Sequence, residues 1–307
     1  MSVSGSPPPC GSGAGADEAA LVVAEMLSGQ PASGELVNRY YTLCIPFYRE
    51  FLGDHWHTGF YTGSQRPGPA DQLRMERVVA ESAGLHAGCE VLEVGCGVGG
   101  PACHLAALTG ARMRGLTPNA AQLALARELA ARKSLESQVS FDLGFADHLP
   151  YADGSFDAVL FFESACHFPD RNRFFTEAWR VLKPGGKLAG EDWLETESLA
   201  EDLRAPWIRS VCSSWAIPAL ATASQYAAAM SLVGFDVRIA LDMREEMDLL
   251  RGFMVDPADR RAVENEMRQS ADPVRRLIMA GLLALGQAAQ MGAFTIGRFL
   301  ALKPQAK

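Results

Sequence analysis

The stretch Glu90-Val91-Leu92-Glu93-Val94-Gly95-Cys96-Gly97-Val98-Gly99-Gly100 decides the fold of this chain. Its apolar run ending at Val94 predicts a short buried strand, because it is brief, contains β-branched residues and is bounded by glycine. Pro101 opens an apolar segment that predicts a helix, since proline suits the first turn. Glycines between a strand and a helix let a ligand approach main-chain N–H groups, so the sequence predicts a nucleotide-type binding turn. The alternative is a glycine turn that binds nothing.

The spacing of the glycines narrows the choice of ligand. The loop reads G-x-G-x-G-G, with no lysine after it and with the acid Glu93 two residues before the first glycine. A dinucleotide loop reads G-x-G-x-x-G, and a phosphate loop ends in G-K-[ST]. The observed pattern resembles the first motif of the Rossmann-like S-adenosylmethionine (SAM) methyltransferases.

Composition and charge exclude several classes of protein. The 307 residues are 48% hydrophobic and 21% charged, with a formal net charge of -8. This acidic balance argues against nucleic acid as a partner, because phosphate backbones require a basic face. The seven cysteines are scattered and form no C-x-x-C pair, which favours a reduced, cytoplasmic protein over a disulfide scaffold or zinc site. We find no secretory signal and no apolar run that predicts stable membrane insertion.

Strands alternate with helices along most of the chain. The predicted strands are 90–94, 112–117, 138–144, 156–162, 187–193, 235–240 and 293–302. The predicted helices are 18–27, 36–48 (ended or kinked by Pro46), 72–83, 101–108, 123–133, 171–182 and 224–233, with a mostly helical stretch at 243–289. This rhythm predicts parallel βαβ units in an open, doubly wound α/β sheet. Ligands of such sheets lie beyond the carboxyl ends of the strands, here after Val94, Leu116, Gly144 and Phe162.

Composition and the order of the predicted elements divide the chain into five parts. Residues 1–17 are rich in Ser, Pro, Gly and Ala and predict a disordered tail. Residues 18–84 predict an N-terminal helical lid, and residues 85–194 a Rossmann-like binding core. Residues 195–290 predict a cap over the site that also contributes the core strand 235–240, and residues 291–307 the final core strand and tail.

Further motifs extend the resemblance. Leu149–Val159 resembles the L-P-F-x-D-x-S-F-D-x-V run of class I SAM methyltransferases, and Arg180–Gly186 their R-V-L-K-P-G-G turn. Five shorter stretches are similar to sterol C-methyltransferases and, more loosely, to tocopherol methyltransferases: Gly95–Pro101, Glu163–Asp170, Glu191–Trp193, Ala216–Leu220 and Gly234–Val237. The resemblance covers about Tyr40 to Val237. It implies a seven-stranded Rossmann-like fold with the last strand antiparallel, and a SAM-dependent methyltransferase.

The resemblance also assigns residues to the cofactor SAM, whose product is S-adenosylhomocysteine. Thr117 and Gln122 would hold the ribose, as in the T-L-x-x-N-Q stretch of related cyclopropane synthases; the alternative is a turn threonine and a solvated glutamine. Asp147 is placed to accept from the adenine amino group. The other expected cofactor residues are Glu93, Gly95, Gly97, Gly99, Ala146 and Phe162.

The expected catalytic residues are Glu163, His167 and Tyr40. Glu163 follows the fourth strand, where a buried carboxylate could take a proton from a carbocation after methyl addition to an alkene; the alternative is a structural acceptor. His167, four residues on, could orient Glu163 or act as the base itself. Tyr40 closes the lid over the cofactor in this prediction, although spacing does not separate it from Tyr41.

Aromatic residues in the lid and cap predict an apolar substrate pocket. They are Trp56, Phe60, Tyr61, Phe168, Trp193, Trp207 and Trp215. Simple packing of the lid is the alternative for the segment Asp54–Tyr61. His55 and His57 point to opposite sides of an extended chain, so we expect no metal site there.

The predicted function is C-methylation of an alkene in a small isoprenoid-like natural product of sterol, terpene or prenyl diphosphate type. Mg²⁺ would take part only with a diphosphate, which scattered C-terminal arginines could hold: Arg251, Arg260, Arg261, Arg275 and Arg276. The alternatives are an O- or N-methyltransferase of a specialised metabolite, and a SAM-fold binding module without turnover. The sequence leaves open whether the chain forms a homo-oligomer.

Overall fold

A computed structural model describes residues 13–62, 67–253 and 257–305. The helices are α1 (Gly13–Met26), α2 (Gly34–Leu52), α3 (Pro69–Ala83), α4 (Gly100–Thr109), α5 (Ala120–Arg132), α6 (Arg171–Val181), α7 (Glu201–Ser214), α8 (Ala223–Val233), α9 (Pro257–Gln269) and α10 (Pro273–Gln290). The strands are β1 (Glu90–Val94), β2 (Arg112–Thr117), β3 (Val139–Leu143), β4 (Phe156–Phe162), β5 (Leu182–Glu195), β6 (Asp236–Asp242) and β7 (Phe294–Leu302).

The strands form one sheet in the order β3-β2-β1-β4-β5-β7-β6. Neighbours among β1 to β5 run parallel, whereas β7 runs antiparallel to both β5 and β6. The strand order reverses between β1 and β4, which places a crevice at their carboxyl ends. The predicted α/β fold with seven strands and an antiparallel last strand is confirmed.

Three local predictions need correction. α1 begins at Gly13, inside the predicted disordered tail, whose residues 1–12 lie outside the described part of the chain. α2 continues through Pro46 to Leu52, because a buried face that includes Tyr40, Cys44 and Phe47 outweighs one lost hydrogen bond. β5 begins at Leu182 rather than at residue 187, so most of the stretch that resembles an R-V-L-K-P-G-G turn is part of the strand, and Leu182 pairs with Phe156 before a bulge.

Hydrophobic side chains form a cluster on each face of the sheet and a third cluster between the helices that flank the site. The third cluster joins α1 and α2 of the predicted lid to α7 and α10 of the predicted cap. Lid and cap therefore share one apolar core above the sheet. Within the described residues, no helix combines the length and apolar character needed to cross a membrane.

Candidate active site

The glycine turn after β1 is tightly packed, which explains its composition. Gly95 has a φ of 80°, and a Cβ there would lie 2.3 Å from the Cβ of Ser164. A Cβ on Gly100 would lie 1.9 Å from the carbonyl oxygen of Asp54. Only glycine fits both positions, and the turn reaches the crevice at Gly95 and Gly97, which line it.

A cavity of about 250 Å³ opens above the carboxyl ends of β1, β2 and β4. It brings together most of the residues that the sequence singled out: Trp56, Gly95, Gly97, Thr117, Gln122, Ala146, Asp147, Phe162, Glu163, His167 and Phe168. It also contains Tyr41, which the sequence left as an alternative to Tyr40, and residues that sequence reasoning missed, among them Asn38, Asn119 and Ser164.

Two predicted cofactor residues do not line this cavity. Glu93 is 1% exposed and points into the core behind β1, where burial raises the pKa of its carboxyl group well above the ordinary value. Gly99 caps α4 and faces Phe141, which a Cβ would approach to 2.6 Å. Both residues support the turn from the buried side, facing away from the cavity.

The predicted ribose pair is preassembled. The Thr117 hydroxyl donates to Oε1 of Gln122 at 2.7 Å and accepts from the N–H of Asn119 at 3.2 Å. The Asn119 amide donates to Oδ1 of Asn38 and to the Thr42 hydroxyl, which ties this edge of the cavity to α2. The arrangement presents fixed polar groups, although their role as ribose ligands stays a prediction.

Glu163 occupies an unusual position directly after β4. Its φ is 44°, a conformation that costs energy for a residue with a side chain, and its N–H donates to the Glu191 carbonyl at 3.0 Å. Its Oε1 accepts from the N–H of Thr58 at 2.8 Å. Burial raises the pKa of the Glu163 carboxyl group to about 7. The carboxyl group can therefore exchange a proton near neutral pH.

His167 and Tyr41 form a hydrogen-bonded pair in the cavity. Nδ1 of His167 lies 3.3 Å from the Ala216 carbonyl oxygen, which can only accept, so Nδ1 carries the proton. Nε2 therefore accepts from the Tyr41 hydroxyl, at 2.8 Å. Burial lowers the pKa of His167 to about 4, so the imidazole is neutral at physiological pH.

The structure places Tyr41, rather than Tyr40, at the cavity. Tyr40 is 1% exposed, and its hydroxyl is bonded to that of Tyr48 at 2.8 Å in the helical core. The helical repeat could have distinguished Tyr41 from Tyr40. Asn38 and Tyr41 are three residues apart, so they share the face of α2 that lines the cavity.

Next to the cavity, the carboxylate of Glu76 in α3 contacts three histidines. Its Oε1 lies 2.5 Å from Nδ1 of His55 and 2.8 Å from Nε2 of His57, and its Oε2 contacts Nδ1 of His104. The expectation that His55 and His57 point apart is wrong, because both rings contact the same oxygen of Glu76. These side chains are of types that bind transition metals, and the ligating atoms of His55, His57 and Glu76 lie within 4.8 Å of one another.

Several predicted substrate and diphosphate residues lie elsewhere. Within the described residues, Phe60, Tyr61, Trp193, Trp207 and Trp215 do not line the cavity but pack in or against the cluster shared by lid and cap. The C-terminal arginines do not line it either, and most are bonded on α9 and α10; Arg275, for example, pairs with Glu50 and Glu266. A diphosphate held by these arginines is therefore not supported.

Comparison with known proteins agrees with this geometry. A family model described as a methyltransferase domain matches residues 92–190. The methyltransferase GfsG of Streptomyces halstedii is 36% identical over 212 residues, which are 68% of this chain and 76% of GfsG. The chain belongs to the SAM-dependent methyltransferases.

Other members of this methyltransferase family match over smaller shares of their own length. A sterol 24-C-methyltransferase of Eremothecium gossypii is 37% identical over 54% of this chain and 44% of its own length. The tocopherol O-methyltransferase of Arabidopsis thaliana is 31% identical over 67% of this chain and 64% of its own length. The chain thus spans about three-quarters of GfsG but less than half of the sterol enzyme.

Solved structures share the methyltransferase fold at low identity. The [4+2]-cyclase SpnF has a TM-score of 0.76 at 22% identity, covering 90% of this chain and 98% of SpnF. Geranyl diphosphate C-methyltransferase from Streptomyces coelicolor A3(2) has a TM-score of 0.67 at 16% identity, covering 89% and 99%. At these identities the likeness concerns the fold alone.

The cofactor of this methyltransferase is SAM, and the residues of the cavity fit it. The Gly95 and Gly97 backbone leaves the crevice open beside β1, the Thr117–Gln122 pair offers polar groups above β2, and Asp147 offers an acceptor beyond β3. Glu163, His167 and Trp56 line the remaining side of the cavity. A substrate would therefore approach the cofactor from the side of α2 and the loop before α3.

Proposed function

We propose that this methyltransferase acts on a small, largely apolar substrate and transfers the methyl group to carbon, at an alkene of an isoprenoid-like compound. The observation that carries this proposal is the Glu163 carboxyl group, buried at the cavity with a pKa of about 7. The sterol 24-C-methyltransferase among the relatives supports it.

SAM held beside Gly95 and Gly97 would supply an electrophilic methyl group to the alkene. An alkene has no acidic proton to lose beforehand, so the enzyme needs a base that acts on the cation left by methyl transfer. Ionised Glu163 would take a proton from a carbon next to the cationic centre, the electrons of that C–H bond would form a new double bond, and Glu163 would become neutral. The faces of Tyr41 and Trp56, stacked at 6.5 Å between ring centroids, add a surface that tolerates positive charge.

The second candidate is O- or N-methylation, which the His167–Tyr41 pair favours. Neutral His167 has an unprotonated Nε2 that can accept a proton, and this atom is bonded to a hydroxyl that also lines the cavity. A substrate hydroxyl or amine could pass its proton to Nε2 directly after displacing Tyr41, or through the Tyr41 hydroxyl. Tocopherol O-methyltransferase is a relative of this kind.

Replacing each base separates the two candidates. We expect Glu163→Gln to lower the turnover of an alkene substrate by a hundredfold or more, with SAM affinity retained, and His167→Ala to cost far less. The assay uses ¹³C-methyl SAM and a panel of sterols, terpenes, prenyl diphosphates with Mg²⁺, and hydroxylated analogues. NMR of the product identifies the methylated atom, and calorimetry measures SAM binding.

Two outcomes would contradict this assignment. One is wild-type turnover by Glu163→Gln while His167→Ala is inactive, which would move the chemistry to oxygen or nitrogen. The other is methyl transfer to DNA or peptides with none to small molecules, contrary to the expectation from the net charge of -8. Sedimentation of the same protein would show whether it is a homo-oligomer, which the sequence left open.

A further inference from the structure

The segment of residues 54–58, which follows α2, is held firmly against the glycine turn. The Gln72 amide donates to the carbonyl oxygens of His55 at 2.5 Å and His57 at 3.2 Å. At the start of the loop, the Asp54 carbonyl lies against Gly100, where no side chain would fit. The backbone of residues 54–58 therefore has little freedom beside the cavity.

Within this loop, the surroundings of His57 fix its charge. Nε2 lies 2.8 Å from Glu76 Oε1, and Nδ1 lies 2.9 Å from the carbonyl oxygen of Thr58. A carbonyl can only accept a hydrogen bond, and a carboxylate with three nitrogens around it also accepts. Both ring nitrogens of His57 must then carry protons, so His57 is an imidazolium ion although it is only 4% exposed.

The residue after this buried cation leads directly to the site. Thr58 receives a hydrogen bond from His57 through its carbonyl oxygen and donates its own N–H to Oε1 of Glu163 at 2.8 Å. The N–H that orients Glu163 therefore belongs to the residue that His57 fixes. Glu191 also approaches Nδ1 of His57, at 3.9 Å.

We propose that Glu76 and His57 are positioning residues for Glu163: Glu76 holds His57 charged and in place, and His57 fixes Thr58 and favours the ionised form of Glu163. This inference rests on the proposed function, in which Glu163 is the base. It assigns a task to a buried ion pair that lies outside the cavity.

The same histidines could in principle bind a metal ion, but the distances favour protons. Two ligands of one tetrahedral zinc, each about 2.0–2.2 Å from the metal, would lie roughly 3.3 Å apart. Nε2 of His57 lies 2.8 Å from Oε1 of Glu76, which is a hydrogen-bond length, and Nδ1 of His55 lies closer still to that oxygen, at 2.5 Å. Both distances are too short for two ligands of one ion.

Other titratable groups also act on Glu163, and the test must separate them from His57. The groups that influence it from the surrounding elements are Tyr41 and Tyr48 of α2, His57 and Tyr61 of the loop, Cys166 after β4, and Glu191 of β5. Among these, His57 is the cation, so its removal should disfavour ionisation of Glu163.

The experiment titrates Glu163 directly. Carbon NMR of protein with ¹³C-labelled glutamate, assigned with Glu163→Gln, follows the carboxyl group in wild type, His57→Gln and Glu76→Gln. We expect the midpoint of the Glu163 titration to move up by about one pH unit or more in both variants, because an opposite charge is lost nearby. The matched control His104→Gln also loses a bond to Glu76, but through the other oxygen, and should leave the midpoint unchanged.

Two further measurements complete the test. Nitrogen NMR should show both ring nitrogens of wild-type His57 protonated at pH 7.5, and the acid limb of the pH profile of kcat/KM should move with the Glu163 midpoint. An unchanged midpoint in His57→Gln and Glu76→Gln, a neutral His57, or stoichiometric metal in the purified protein would overturn the proposal. If the midpoint moves but Glu163→Gln retains full turnover, the positioning stands and the proposed role of Glu163 as base falls.

Discussion

At the residue scale, Glu163 combines two unfavourable features at one position. A glutamate with a φ of 44° and a half-buried carboxyl group is held there by the surrounding strands and loop. Strained backbone and a displaced pKa are typical of residues that a fold supports for function rather than stability. Such a residue should lower stability under the conditions in which it is ionised.

Glu163→Gln should therefore stabilise the protein at high pH. The pKa of Glu163 rises from 4.5 in the unfolded chain to about 7 in the folded protein, so folding favours the protonated form. The free energy of unfolding then falls as pH rises from about 4.5 to 7, by about 3 kcal/mol from this group. Urea unfolding should show the variant more stable than wild type at pH 8, with the difference shrinking towards pH 4.5.

A matched control for this titration is Glu136→Gln, at an exposed position. It should change stability by no more than about 0.5 kcal/mol at either pH. A pH-independent difference between Glu163→Gln and wild type would mean that Glu163 does not titrate as described.

At the element scale, α2 directs two neighbouring tyrosines into different environments. Tyr40 faces the apolar core and bonds to Tyr48, whereas Tyr41 faces the cavity and bonds to His167. The long buried face of α2 keeps this helical phase fixed through Pro46. The orientation of α2 thus determines which of two adjacent, chemically identical side chains lines the cavity.

Phenylalanine substitutions at these two positions should affect different properties: stability at position 40 and turnover at position 41. Tyr40→Phe removes a buried hydrogen bond and should cost about 1 kcal/mol of stability while leaving kcat nearly unchanged. Tyr41→Phe frees Nε2 of His167 and should change kcat several-fold, because a cavity hydroxyl is lost. Steady-state kinetics and urea unfolding of both variants check this; an effect of Tyr40→Phe on kcat larger than that of Tyr41→Phe would contradict the placement.

At the scale of the whole molecule, lid and cap are one packed unit. α10 packs against α1, α2 and α7, and Arg275 of α10 stacks on the rings of Phe47 and Phe51 at 5.4 Å. Loosening the C-terminal half of this unit should therefore loosen its N-terminal half as well, far away in sequence.

Ile278→Ala tests this coupling. Ile278 is fully buried in the shared cluster, so its truncation should cost about 2–5 kcal/mol. Hydrogen exchange followed by mass spectrometry should show faster exchange in α1 and α2 together with α10. Faster exchange confined to α9 and α10 would mean that the N-terminal and C-terminal helices are not coupled through the shared cluster.

The sequence by itself determined the parts whose structure depends on local pattern. The run 90–100, the alternation of strands and helices, and the position of Glu163 and His167 after β4 were all predictable, because periodicity and glycine spacing act over a few residues. The family followed from the same motifs.

Only the tertiary structure decided which side chains meet across distant segments. It selected Tyr41 over Tyr40, moved Trp193 and Trp215 from the expected pocket into the shared core, and brought His55 and His57 onto Glu76. Helical phase, burial and the path of an irregular loop depend on all the surfaces that pack together. A local sequence pattern therefore cannot predict which of these distant side chains come into contact.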